Sequence, residues 1–392
     1  MENAFSDRIT DVPKSFIREI LKVTIDKSII SFAGGLPNRQ FFPVRELQKA
    51  AHDVFEEAGR EILQYANSEG YLELRQFIAD RYRQKDGLDI PVEDILITTG
   101  SQQGLDLLGK IFLNEGDDLI IEEPGYLGAI QAFSLYRPRF YPVPVREGGM
   151  DTVALARVLR EREPKLLYTV TNFQNPSGIS YTNENRQSVA HLIRSHNCLI
   201  IQDDPYGDLR FTGDRKISFK QLLPDNTVLL GSFSKTVAPA LRIGWLVAPR
   251  PIMEKIIVAK QAADLHTDYL AQRILHRFLL DNDLDAHIAA ITRQYGKQKE
   301  AMIEAINTYF PTNVQCTNPE GGMFLWVSLP EKTSSMKLFE MAIAQKVAFV
   351  PGTPFYVDRK DSNTLRLNFS CSDESTIVEG IKRLGDSINQ LM

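Results

Sequence analysis

Two rhythms of apolar and polar positions alternate through the middle of the chain. Short apolar runs at residues 94–99, 118–121, 166–170, 199–201 and 227–230 each predict a strand. Helical periodicity returns between them. Residues 102–112 put Leu105, Leu108 and Phe112 on one face, and residues 186–195 predict another helix. Short strands separated by helices point to an α/β protein with a mainly parallel sheet covered by helices. Strands that are apolar without alternation fit burial on both faces. After about Arg250 the rhythm changes. Helical segments are predicted through 252–280 and 285–309, then strands at 322–327, 349–350 and 364–369 between helical runs. This second part is expected to be a smaller α+β domain. A short helix is predicted at 15–23, ahead of a Gly/Pro-rich turn. The expected division is an N-terminal segment 1–44, a large domain 45–285 and a small domain 286–392.

Composition narrows the function. At 392 residues and 43% hydrophobic, the chain has ample material for a core, and no repeat or low-complexity tract interrupts it. A net charge of -5 argues against a nucleic-acid partner, which needs a basic face. It leaves room for small anions, which need only local positive charge. Cys198, Cys316 and Cys371 are odd in number and far apart, so neither a disulfide framework nor a metal site is expected. Cys198 lies in an apolar run and is expected in the core. His191 and His196 stand five apart, off a common helix face. The start, MENAFSDRITDVPK, carries no apolar stretch of the secretory kind. No apolar run approaches the ~18 residues that span a bilayer. A cytoplasmic setting is therefore expected. No GxGxxG opens a βα unit and no GxxxxGK[ST] occurs, so neither a dinucleotide dehydrogenase nor a P-loop NTPase is expected.

Polar signals cluster just after the predicted strands, where ligands bind in open α/β sheets. Thr98-Thr99-Gly100-Ser101-Gln102 ends a strand and starts a helix, with Ser101 placed to cap it. The helix start is either a plain cap or an anion site made of free N–H groups. Gly231-Ser232-Phe233-Ser234-Lys235 follows an apolar strand. Lys235 is either a solvated surface group or a desolvated lysine of lowered pKa, with Arg242 seven residues on. Arg242 is either a surface ion pair or a bidentate phosphate clamp. Asp203, at the end of a buried strand, needs a cationic or hydrogen-bonding partner unless it is only a cap. Asp204, before Pro205, reads as a turn residue, and Asn175-Pro176-Ser177-Gly178 as a strong turn.

Together, in this order, these segments resemble the pyridoxal-phosphate (PLP) aminotransferases of fold type I, class I/II, over nearly the whole chain. The carriers are Ser232-Phe233-Ser234-Lys235 with Arg242, Asn175-Pro176-Ser177-Gly178, and Asp203-Asp204-Pro205-Tyr206 some thirty residues before the lysine. The resemblance implies a seven-stranded, mainly parallel sheet in the large domain. It implies Lys235 as the lysine holding the cofactor by a Schiff base, Asp203 as partner of the pyridine nitrogen, and Asn175 and Tyr206 as partners of the ring's phenolic oxygen. Tyr126 would stack on the ring. Ser101, the N–H of Gln102, Ser232, Ser234 and Arg242 would hold the phosphate. Tyr65 matches a tyrosine that reaches the phosphate of a neighbouring subunit, which implies a homodimer. Arg366, in Leu365-Arg366-Leu367-Asn368, matches the arginine for the substrate α-carboxylate, and Gly35 would let backbone approach that carboxylate.

The chain start and the segments around Gly34-Gly35-Leu36-Pro37 and Gln64-Tyr65 are similar to the 2-aminoadipate/kynurenine/multi-substrate branch. In that branch a short N-terminal helix covers the substrate, and Arg18 matches an arginine that meets an acidic side chain. Arg18 is either that contact or a solvated group. The resemblance implies ping-pong transamination between an L-amino acid, such as glutamate or 2-aminoadipate, and 2-oxoglutarate. Another PLP reaction on the same fold, such as β-elimination or decarboxylation, is the alternative. A regulator's effector domain would need a basic DNA-binding module before Ser15, and none is expected.

Overall fold

A computed structural model describes residues 5–10, 12, 20 and 26–392. The expected helix at 15–23, and Arg18 with it, lies outside the described residues apart from Ile20.

The larger sheet contains β1 (Ile95–Thr99), β2 (Asp118–Glu123), β3 (Arg139–Arg146), β4 (Gly149–Met150), β5 (Leu166–Thr169), β6 (Leu199–Asp203), β7 (Thr227–Ser232) and β8 (Ile243–Val247). Their spatial order is β1-β8-β7-β6-β5-β2-β3-β4. Strands β3, β2, β5, β6 and β7 pair in parallel, and β8 runs against both β7 and β1. The expected seven strands gain an eighth, because Gly148 and Gly149 take positive φ and fold the two-residue β4 back on β3. Successive residues face opposite ways and both sides are covered. Leu119 and Ile121 join one hydrophobic cluster while Ile120 joins another. Leu166 and Ile201 likewise face away from Leu167 and Ile200. Each fully buried aliphatic side chain of this kind contributes about 1.5–3 kcal/mol.

A second, all-antiparallel sheet has the order β9-β10-β12-β11, from β9 (Gln315–Cys316), β10 (Phe324–Ser328), β11 (Val350–Pro351) and β12 (Thr364–Asn368). The 26-residue helix Leu284–Tyr309 and the helix Glu374–Leu391 bury their apolar stripes beside it. Residues 30–31 pair in parallel with residues 347–348 as a separate two-stranded sheet, and Phe32 donates its N–H to Ala348 and accepts one from Asn368.

The helical pattern read across 252–280 is broken. Helices Arg250–Gln261 and Tyr269–Asp281 are separated by a turn in which Leu265 takes φ 66°. Asp268 restarts the helix by accepting the N–H of Ala271. No helix among the described residues is long and apolar enough to cross a membrane.

Candidate active site

The carboxyl ends of the parallel strands meet at one edge of the sheet. Gly100 follows β1, Tyr126 follows β2, Asn175 follows β5, Asp203 ends β6, and Ser232 to Lys235 leave β7. Arg242 stands just before the amino end of the reversed strand β8, which brings it to the same edge. A cavity of about 290 Å³ there is lined by Ser101, Gln102, Tyr126, Asn175, Asp203, Tyr206, Ser232, Ser234, Lys235 and Arg242. An adjoining cavity of about 610 Å³ shares Lys235, Tyr126, Asn175 and Tyr206 and adds Gly35 and Arg366. A larger, open groove of about 1110 Å³ beside the helices Thr152–Glu161 and Asn183–Ile193 holds none of these residues.

Lys235 donates from Nζ to the carbonyl of Gly35 at 2.8 Å. Burial lowers its pKa to about 8, and the nearby cations Arg366 and Arg242 push the same way. A fair share of the amine is therefore uncharged and nucleophilic near neutral pH.

Asp203 is 1% exposed. Its Oδ2 accepts from Tyr168 Oη at 2.9 Å, while Oδ1 is buried without a partner. Burial raises its pKa to about 7. A buried carboxylate oxygen left this way costs free energy unless a donor or cation arrives.

Arg366 crosses between the two sheets. Its Nη1 donates to Asn175 Oδ1 and its Nη2 to the carbonyl of Ala33, each at 2.8 Å. Phe324 and Phe355 stack near the guanidinium, at 4.3 and 5.3 Å from its carbon, and Nε has no partner. Burial lowers its pKa to about 10, well above neutrality. Asn175 also donates from Nδ2 to Tyr206 Oη at 3.2 Å. The hydroxyl hydrogen of Tyr206 is thus left to donate elsewhere. Gly35 stands where a Cβ would press on the ring of Phe324, so a side chain there would crowd the arginine's support.

The cap reading of Ser101 is corrected. Gly100 occupies the cap position at φ 74°, no side chain caps the helix, and Ser101 is its first residue. The left-handed backbone of Gly100 turns the chain sharply; the Gln103 N–H bonds the Gly100 carbonyl at 3.2 Å, and no side chain caps the N–H groups of Ser101 and Gln102. A Cβ on Gly100 would collide with the Arg242 guanidinium, so the glycine is what admits the arginine to this cup. Arg242 itself sits at φ 53° and donates toward Pro239 and Thr99 carbonyls. Ser232 donates to Ser234 across 2.8 Å at the cup's other side.

Tyr65 does not join this cavity. It is 79% exposed and packs edge-on against His266. The sequence reading missed Tyr168, Phe324 and Phe355. It also missed Glu122, on which the side chains of Thr169, Gln174 and Tyr181 and the N–H of Val170 converge. Tyr168 was within reach: on β5 it pairs with Ile201 of β6, which puts it on the face of Asp203 two residues on. The two phenylalanines, Phe324 in strand β10 and Phe355 in the short helix Thr353–Phe355, carried no signal, because apolar residues in such elements read as core.

This lysine-centred cleft at the strand ends of an α/β fold marks a group-transfer enzyme built around an organic cofactor. The chain belongs to the aminotransferase class I and II family, whose family model matches residues 29–384. It is an aminotransferase, and its cofactor is pyridoxal 5'-phosphate. It is 40% identical to a 2-aminoadipate transaminase of Thermus thermophilus, over 99% of this chain and 97% of that protein. It is 38% identical to an aromatic-amino-acid aminotransferase of Thermococcus litoralis, over 100% and 95%. Among solved structures, the Thermus thermophilus alpha-aminoadipate aminotransferase complexed with N-(5'-phosphopyridoxyl)-L-leucine superimposes with a TM-score of 0.93 at 40% identity, covering 99% of this chain and 98% of that one.

The cleft fits the cofactor. The orphaned Oδ1 of Asp203 suits a protonated ring nitrogen, and the Gly100 cup with Arg242 suits a phosphate.

Proposed function

We propose that the residues of this cleft take the following roles in transamination between an L-amino acid and a 2-oxo acid. The observation that carries the reading is the convergence of Lys235, the orphaned Asp203 oxygen and Arg366 on two adjoining cavities. Bound cofactor supplies a conjugated, positively charged ring that accepts electrons from the substrate's Cα.

Lys235 Nζ, uncharged above about pH 8, bonds the cofactor at rest. Released from that bond, the same nitrogen would stand beside the substrate's Cα as the base that takes and returns its proton. Asp203, with Tyr168 holding one oxygen, presents the other to the ring nitrogen and keeps it protonated. Asn175 and Tyr206 hold the phenolic oxygen. Tyr126 covers the ring face. The first N–H groups of the helix Ser101–Phe112, with Ser101, Ser232, Ser234 and Arg242, hold the phosphate. Arg366 binds the α-carboxylate through its unpaired Nε and remaining Nη hydrogens, with backbone admitted by Gly35, and so sets Cα beside Lys235.

The exposed Tyr65 supports a homodimer in which it reaches the partner's phosphate. Three unpaired cysteines fit a reducing, cytoplasmic compartment. Residues 45–285 and 286–392 are taken as a large and a small domain, with Arg366 spanning the cleft between their sheets. Relatives named for 2-aminoadipate and for aromatic amino acids support a donor range that includes acidic and aromatic side chains, with 2-oxoglutarate as acceptor. Arg18 belongs to this proposal as the contact for an acidic side chain.

The test is a half-reaction titration. The purified protein is mixed with glutamate, 2-aminoadipate, leucine, phenylalanine or kynurenine and its visible spectrum followed. Loss of the yellow band with an acidic donor, reversed by 2-oxoglutarate, supports the reading. A band that releases keto acid with no such reversal, or consumes donors only by elimination, sinks it.

A further inference from the structure

A buried lysine that takes no part in the chemistry stands behind the proposed phosphate cup. The side chain of Lys260 is 0% exposed. Its three N–H bonds all find acceptors: Asp264 Oδ1 at 2.8 Å, Gln103 Oε1 at 3.0 Å and Thr267 Oγ1 at 3.0 Å. A fully buried ammonium is expensive, so one satisfied on every hydrogen is holding something in place.

What it holds is the turn ahead of the cup. Gln103 Oε1, fixed by Lys260, also accepts the N–H of Thr99 at 2.9 Å. Asp264 Oδ2 accepts from the Thr99 hydroxyl at 3.1 Å and from Gln103 Nε2 at 2.6 Å. Thr99 is therefore pinned through both its N–H and its side chain. Its carbonyl in turn faces Arg242 Nη2 at 3.4 Å, and the next residue is Gly100, whose left-handed backbone opens the helix start. Of these groups, only Arg242 lines the cavity.

We propose that Lys260 is a positioning residue for phosphate recognition. It fixes Thr99 and Gly100 so that the free N–H groups of the helix start and the Arg242 guanidinium converge on one anion. This rests on the phosphate-cup reading given above. A residue that merely supported the fold would weaken all cofactor forms alike. A residue that positions the cup weakens only ligands that carry the phosphate.

The experiment compares pyridoxal 5'-phosphate with pyridoxal, which lacks the phosphate, as ligands of the full-length, cofactor-stripped protein. Affinities are measured by absorbance for the unaltered chain and for Lys260→Met, Gln103→Met and Arg242→Gln. Lys260→Met should reduce the preference for the phosphorylated ligand by roughly tenfold or more, about one factor-of-ten step in affinity, with pyridoxal binding nearly unchanged. Gln103→Met, a milder cut at a partly exposed position, should move the preference the same way and serves if Lys260→Met fails to fold. Should Arg242→Gln lower the preference while both network variants leave it intact, the role of Lys260 is refuted and the cup stands. Should none of the three change it, the cup reading itself falls, and the role of Lys260 with it.

Discussion

Arg366 Nη1 and Asn175 Oδ1 lie 2.8 Å apart, although 191 residues separate them in the chain. The bond joins the centre of strand β12 to the turn after β5, and so ties the two sheets together at the cleft. The residue proposed to bind the substrate's carboxylate is thereby locked to one proposed to bind the cofactor's ring. Substrate and cofactor should be held in one frame of reference.

Arg366→Gln should lower kcat/KM for every amino acid roughly 30-fold or more, the loss of at least ~2 kcal/mol expected when a buried charged partner is cut back. The affinity of the resting protein for cofactor should change little. Steady-state kinetics over a panel of donors checks this. A variant with normal kcat/KM toward all of them would remove Arg366 from the substrate site.

The rate at which cofactor-free protein captures pyridoxal 5'-phosphate should rise with pH about a midpoint near 8, because only the uncharged amine of Lys235 attacks. Burial is the main cause of that low value, and the cation Arg366 adds to it. Removing that cation should raise the lysine's pKa. The midpoint of Arg366→Gln should therefore move to higher pH in stopped-flow capture; an unmoved or lowered midpoint would contradict the electrostatic account.

Asp203 is held near pKa 7 by burial, above the ordinary carboxylate value of 3.8. The folded protein then binds its proton more tightly than the unfolded chain. Stability is lost as pH rises between those values, at ~1.4 kcal/mol per pH unit. Asp203→Asn should raise the unfolding temperature of cofactor-free protein more at pH 8 than at pH 5, and still abolish nearly all turnover. Thermal scans at both pH values test it: equal shifts would mean that the carboxylate is not strained by burial.

Tyr65 lies on the surface, away from its own chain's cavity. If it serves the partner's site, mixing Tyr65→Ala with Lys235→Ala protomers restores one intact site per mixed dimer. Activity should then rise well above that of the Tyr65→Ala protein alone. No gain on mixing would return Tyr65 to a surface role.

The sequence was most informative where chemistry is local. Strand positions followed from apolar runs, and the lysine, aspartate and asparagine stood beside strand ends where their solvation would be abnormal. It was least informative where partners come from afar. The Arg366–Asn175 bond and the Lys260 network join segments that no periodicity links. Across residues 262–268 the helical rhythm continued in the pattern of side chains, but Asp268 offered a stronger cap and Leu265 accepted a left-handed turn. Ser101 read as a cap because serine favours that position. Gly100 took it instead, since only a residue without Cβ leaves space for Arg242.

The most direct test of the account is to reduce the resting protein with borohydride, digest it, and locate the phosphopyridoxyl group by mass spectrometry. The account predicts a single modified peptide with the group on Lys235, and none in a Lys235→Ala protein. Modification at another lysine, or a protein that holds the cofactor and transaminates normally without Lys235, would contradict it.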